Sequence, residues 1–378
     1  MNTRIHSILT FVVVLCSTVL AVVGGIRLIA PEALGWMADA SPSLIGRVVP
    51  DAVDAALGLA VGLAGIAVGV LGHAAARGRH APALLRAVTV VVAVAMVLLT
   101  PGGLIPFAGY SFAVVVIIGV VVMAVLLVRR HPWLGAVVIA AIVGVTSWAI
   151  VGLDAAEVAS RFWPAFVEQL PGVLYAAAFL VAAVALTVRM MMRGSAPRGR
   201  FARWVLRHRA AITITAACCA LPYSIARASW LTPWPLLAPS GVELATMQGV
   251  LFTGLGLGAA MLAGGVLTLG LILPWGRRFP RWMAGAGGRP VPVALAVVPA
   301  SVIAVLFTVG GIDMMVSVFE GTLSDGTIGQ ILEFVIAFPF WLWGPLLALA
   351  TWGYAMDRKD AASADQSISR AGFRTYAA

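Results

Sequence analysis

The carboxylates best spaced for chemistry in this 378-residue chain are Asp51 and Asp54, three residues apart. A carboxylate held beside a substrate can act as a general base. A second candidate group is cationic. Arg227 lies within LPYSIARASWLTPWPLLAPSG (residues 221–241), where it is the sole charge, and Arg27 closes the first apolar run in the same way. A guanidinium at such a place either snorkels to the membrane surface or pairs with an acid. Acids stand at comparable positions: Asp51, Asp54, Glu168, Glu243, Asp313 and Glu333 all fall at or just inside the ends of apolar runs. Several would sit at helix N-termini, where the helix dipole favours a carboxylate. Taken together, Arg27, Asp51, Asp54, Glu168, Arg227, Glu243, Asp313 and Glu333 are expected to line a polar, outward-opening vestibule able to bind a ligand, with Arg27 and Arg227 paired to some of the acids.

Other chemistry finds no support in the residue spacing. The five histidines, His6, His73, His80, His131 and His208, lie in or beside basic connectors, and no two have metal-ligand spacing with a carboxylate partner. There is no GxSxG, P-loop or CxxC pattern. Cys16, Cys218 and Cys219 lie inside apolar runs, where they read as small apolar fillers rather than a disulfide framework. No metal and no cofactor is therefore expected.

The elements that must hold these charges are set by composition. Hydrophobic residues make up 61% of the chain and charged residues 11%, where a soluble domain is about half apolar and about a quarter charged. Lipid must be part of the solvent. The net charge of +10 does not point to nucleic acid, because the basic residues fall in short connectors between apolar runs. The first apolar run, from Ile8 to about Ile29, is longer than the ~7–15 residues of a signal h-region and is read as an uncleaved span.

A membrane-crossing helix needs about 20 apolar residues. Stretches at 7–29, 53–75, 83–103, 107–128, 132–153, 166–188, 210–231, 244–274, 291–313 and 330–356 qualify, the third and fourth divided at PGGLIP (101–106). The expected fold is all-α, a polytopic transmembrane helix bundle of about ten spans, since hydrocarbon leaves no other way for these segments to satisfy backbone amides. Cytoplasmic connectors are enriched in Lys and Arg. With the N-terminus inside and strict alternation, the outer side keeps only Arg27, Arg47, Arg161 and Arg227 of the 25 basic residues. Only Asp357, Asp360 and Asp365 of the 15 acids fall inside. Both termini are then cytoplasmic.

The chain divides into a six-helix membrane half (1–188), a basic cytoplasmic connector (189–209), a four-helix membrane half (210–356) and a cytoplasmic tail (357–378) expected to be disordered. In the connector, Phe201, Trp204, Val205 and His208 recur at helical spacing, with arginines on another face. A short basic helix lying on the inner leaflet is expected, with Arg200, Arg203, Trp204 and Arg207 meeting anionic lipid headgroups. Glycines at four-residue spacing, Gly58/Gly62, Gly65/Gly69 and Gly254/Gly258, allow close helix packing. Pro171, Pro222, Pro299, Pro339 and Pro345 predict kinks within spans.

The segments LPYSIARASW (221–230) and PWGRRFPRWMAGAGGRPVPVALAVVPA (274–300) resemble parts of uncharacterised multi-pass membrane proteins of high-GC actinobacteria. That resemblance implies residence in a bacterial cytoplasmic (inner) membrane and implies no activity. The Asp51-x-x-Asp54 pair also resembles the acidic pair of membrane glycosyltransferases, whose long outer loops this chain lacks. Three functional classes follow, in order of preference. The first is a permease-like transporter of a small solute. The second is a non-catalytic membrane component that binds lipid or protein partners. The third is a membrane-embedded transferase using the outer carboxylates. The lipid bilayer, with anionic lipid at the cytoplasmic face, is the one expected partner, and nucleic acid is not.

Overall fold

The computed structural model describes residues 3–37, 41–77, 83–102, 128, 132–152, 155–193, 199–238, 248–279, 287–324 and 326–375. They form α1 (Thr3–Ile29), α2 (Asp51–Arg77), α3 (Ala83–Leu98), α4 (Pro132–Gly152), α5 (Ala155–Arg193), α6 (Arg200–Cys218), α7 (Leu221–Ala228), α8 (Gln248–Leu269), α9 (Val293–Phe319), α10 (Ile328–Ala337) and α11 (Phe340–Thr375). Among the described residues there is no strand, only two isolated β-bridges.

Seven stretches of helix among the described residues are long and apolar enough to cross a membrane: His6–Ile29, Asp51–Ala75, Val167–Met192, Arg200–Leu231, Val250–Leu269, Val293–Phe319 and Ile328–Ala361. That is fewer than the ten expected. Ala83–Leu98 is apolar but shorter than a full span, because the chain leaves the helix ahead of Pro101. Pro132–Gly152 is a further apolar helix. The expected span at 107–128 lies outside the described residues, Val128 excepted.

What faces outward shows why these helices belong in lipid. On α1, Ile8, Phe11, Leu15, Val19 and Val22 are exposed at three- and four-residue steps. Val13, Ser17 and Leu20 on the opposite face are fully buried. An exposed apolar stripe of this length would be unstable in water and costs nothing against acyl chains. The chain is a membrane protein.

Buried apolar side chains form two main clusters. The first gathers α1, α2, α3 and α5 through Val13, Leu20, Val68, Met96, Phe179 and Leu186. The second gathers α6, α9 and α11 through Val205, Ala216, Val297, Trp343, Leu347 and Tyr354. Helix α9 serves both, with Val305 and Val309 in the first and Val297 and Ala304 in the second. Association within lipid gains little from hydrophobicity, so it rests on close van der Waals contact. Glycine supplies that contact where α1 crosses α2. A Cβ on Gly62 would lie 2.5 Å from Ala21 N, and one on Gly24 would lie 2.6 Å from Leu59 N. Gly65 and Gly69 pack on Ser17 and Val14 of α1, and Gly254 and Gly258 pack on Trp230 and Arg227. Gly58 faces only the Tyr175 hydroxyl, at ordinary contact distance.

Two expectations about the ends of helices change. No breaker interrupts 200–218, so the basic segment is the start of spanning helix α6 rather than a separate helix lying flat on the leaflet. Of its apolar residues, Ala202 and Val205 are buried, with Val205 meeting α11 at Gly353, while Phe201 and Trp204 stay exposed. The 32 residues of Arg200–Leu231 rise about 48 Å against about 30 Å of hydrocarbon, so the arginine-rich turns project beyond it. Likewise α5 runs on to Arg193, which shortens the connector, and the tail expected to be disordered from 357 is helical to Thr375.

Prolines act as expected at two places. At Cys219–Ala220 the helix changes to tighter bonding, with Ala220 N donating to Ala217 O at 3.1 Å, just before Pro222. At Phe338, ahead of Pro339, the backbone leaves the helical region (φ −121, ψ 65) and divides α10 from α11. Pro299 and Pro345 sit inside α9 and α11.

Candidate functional site

Helix directions gather Asp54, Asp313 and Glu320 at one end of the bundle. The C-terminal ends of α1, α3 and α9 and the N-terminal end of α2 meet there, joined by the connection at residues 41–50. Asp54, one turn into α2, is held on both oxygens. Arg27 Nη1 donates to Oδ2 at 2.7 Å, and Ser43 Oγ donates to Oδ1 at 3.0 Å. Ser43 is placed by the tight turn that follows it, where Gly46 N donates to its Oγ at 2.8 Å. It is also bridged to Pro101 at the end of α3. The Arg27 and Asp54 side chains are 17% and 12% exposed, so the pair is largely removed from water and each charge depends on the other.

A second network lies alongside and ties the two halves of the bundle. Arg47 Nη2 donates to Asp313 Oδ1 at 2.7 Å and to Ser317 Oγ at 3.1 Å. Its Nη1 donates to Glu320 Oε2. One guanidinium fork thus serves three acceptors along the last two turns of α9. Gly102 leaves room for the Asp313 carboxylate: a Cβ there would lie 2.8 Å from both oxygens. Arg47 and Glu320 were not singled out from the sequence. Arg47 is visible there only as one of four outer arginines, and its acids are 266 and 273 residues away.

The remaining expected residues are not brought together. Asp51, Glu168 and Glu333 are exposed, and Glu243 lies outside the described residues. The expected pairing of Arg227 with an acid is not formed among the described residues. Its guanidinium lies over the Trp230 ring, 4.2 Å from the centroid, and over the Tyr223 ring at 4.8 Å. Its Nε is buried and has no hydrogen-bond partner. Asp51 and Asp54 differ in setting: both Asp54 oxygens are engaged, while Asp51 is exposed.

The opposite rim carries the other charge. Arg200, Arg203, Trp204 and Arg207 are exposed on the first turns of α6. Phe201 stacks on Trp204, and His208 Nδ1 donates to Trp204 O at 2.9 Å. Arg189, assigned to a connector by sequence, is 3% exposed on α5 and donates to Val68 O at 2.9 Å. Gly72 leaves the slot that its guanidinium fills, since any Cβ there would overlap it. Midway along α11, Asp357 takes Arg209 at 2.6 Å and also Arg277. Arg358 Nη2 donates to Val291 O at 2.9 Å, and Lys359 Nζ donates to Met191 O at 2.6 Å.

Among the described residues no three His, Cys, Asp or Glu side chains are grouped to hold a metal ion. The arrangement can bind charged groups at either rim and can lock helices together. No family model matches the chain, and no curated protein or solved structure matches it.

Proposed function

We propose that the chain is a non-catalytic, multi-pass component of a bacterial cytoplasmic membrane, acting through the lipids or protein partners that its two rims bind. The carboxylate rim faces outward, and the arginine rim, with both chain termini, faces the cytosol, as the retention of basic residues inside requires. The arginine rim takes anionic lipid on Arg200, Arg203, Trp204 and Arg207. One observation carries the reading. The described ion pairs lie at the two rims, whereas the helix crossings between them are filled by apolar side chains and glycine contacts.

A permease-like role for a small solute is the second reading, and a different observation favours it. The interrupted helices α6–α7 and α10–α11 meet, with the Tyr223 and Phe338 rings 5.0 Å apart. Nearby in the chain, the Trp343 indole Nε1 is buried without an acceptor. Interrupted spans frame the sites of many transporters.

Single cysteines in a background lacking Cys16, Cys218 and Cys219 test both readings. A membrane-impermeant maleimide should label Asp51→Cys and Glu333→Cys in intact cells and Arg203→Cys only after lysis; the reverse pattern would overturn the orientation. Ala304→Cys and Leu186→Cys, buried between the rims, should resist the reagent. Labelling there that a solute suppresses would favour the permease instead.

A further inference from the structure

At the carboxylate rim, guanidinium groups have two different fates. Arg27 and Arg47 are neutralised by Asp54, Asp313 and Glu320. Arg227 is not: among the described residues it has no carboxylate partner and rests on two aromatic faces. Both rings are themselves fixed. Tyr223 is 6% exposed and packs against the tilted ring of Phe338, and Trp230, also 6% exposed, donates from Nε1 to Leu236 O at 2.8 Å. Gly258 on α8 gives the arginine stem its room, with a Cβ there placed 2.7 Å from Arg227 Cβ. The neighbouring helix is pinned by Ser224 Oγ donating to Gly258 O at 3.0 Å. The guanidinium is thus held in a built seat against two aromatic rings, with its Nε lacking a hydrogen-bond partner among the described residues.

The setting is lipid on one side and headgroups on the other. Arg227 lies four residues short of the end of the span at Leu231, about 6 Å of helical rise. Ile225, Leu231, Trp234 and Leu236 around it are exposed and apolar. A cation–π seat supplies some of the stabilisation a partly buried cation needs but leaves its N–H donors unsatisfied. A phosphate oxyanion satisfies them with the bidentate geometry that arginine favours.

We propose that Arg227, seated between Tyr223 and Trp230, binds a phosphate oxyanion at the carboxylate rim. The chemistry is common to a phospholipid headgroup and to a soluble phosphate. The site rests on the membrane-spanning character of the chain and stands whether the bundle is a scaffold or a permease.

The test uses the full chain purified in detergent, with dioleoylphosphatidylglycerol, dioleoylglycerol and inorganic phosphate as probes. Native mass spectrometry should show phosphatidylglycerol retention falling about tenfold in Arg227→Gln, as loss of a charge-assisted hydrogen-bonded contact implies. Arg227→Lys should retain part of it, and dioleoylglycerol should bind both forms alike. If inorganic phosphate raises the Tm of the wild type but not of Arg227→Gln, and displaces phosphatidylglycerol, the source is a soluble phosphate. Should Arg227→Gln fail to fold, a phosphatidylglycerol analogue carrying a headgroup diazirine gives the answer in the wild type, by labelling 221–236. Unchanged lipid retention with no phosphate effect in Arg227→Gln would overturn the proposal. Labelling confined to the Arg200–Arg207 face would overturn it equally.

Discussion

The two rims solve the same problem, a cation close to hydrocarbon, with different partners. On the carboxylate rim, Arg27 and Arg47 are met by side-chain carboxylates that come from other helices. On the arginine rim acids are scarce, and Asp357 alone serves two arginines. There the remaining described contacts of the buried or half-buried cations run largely to backbone carbonyls: Arg189 to Val68 and Gly69, Arg358 to Val291 and Arg277, Lys359 to Met191. A carbonyl neutralises nothing. A contact of that kind satisfies a donor without cancelling its charge, which suits the orientation proposed for this rim. The carboxylate rim cancels charge pair by pair and gains links between helices instead.

If that contrast holds, the largest loss should follow from removing a cation on the paired side. Arg47→Ala removes the guanidinium that Asp313 and Glu320 share and should cost about 3 kcal/mol, as removal of one partner from a largely buried pair does. SDS-titrated unfolding in mixed micelles would read it. A double-mutant cycle with Asp313→Asn should show strong coupling; additive losses would mean that the pair does not act as a unit. Next comes Gly72→Ala, which drives a Cβ into the seat of the Arg189 guanidinium and should cost about 2–3 kcal/mol as overpacking. Arg189→Ala relieves that clash, so the double variant should lie closer to wild type than Gly72→Ala alone. Arg189→Ala by itself should cost about 1–2 kcal/mol, since the carbonyls it leaves are still acceptors within α2. The smallest stability effect belongs to Arg203→Gln with Arg207→Gln, within about 0.5 kcal/mol because both are exposed. Their effect should appear in vesicle binding of the purified protein's anionic lipid, which a loss of stability as large as that of Arg47→Ala would contradict.

Much of the fold is legible along the chain because span formation is a local matter. A run such as 293–319 is helical on its own terms, and the stretch without breakers from Arg200 to Cys218 is equally readable, although the basic residues suggested a separate surface helix. That error has a physical source. Amphipathic spacing at Phe201, Trp204 and Val205 has the same period whether the apolar face meets a leaflet or another helix, and here Val205 meets α11. The site was legible in part. Arg27, Asp54 and Asp313 stand out as charges at span ends, and Arg27 does pair with Asp54. Arg47 and Glu320 lie in connectors, where a charge excites no suspicion, and Arg227 chose aromatic rings over an acid.

Residue order alone determined that this chain dissolves in lipid as helices with opposite charge at their two ends, because hydropathy and backbone satisfaction are properties of a single segment. Tertiary structure decided which guanidinium met a carboxylate, which met a carbonyl and which met a ring. Those choices depend on how far each helix is rotated and how closely glycine lets it approach its neighbour, and partners 27 or 266 residues apart carry no local mark of that geometry.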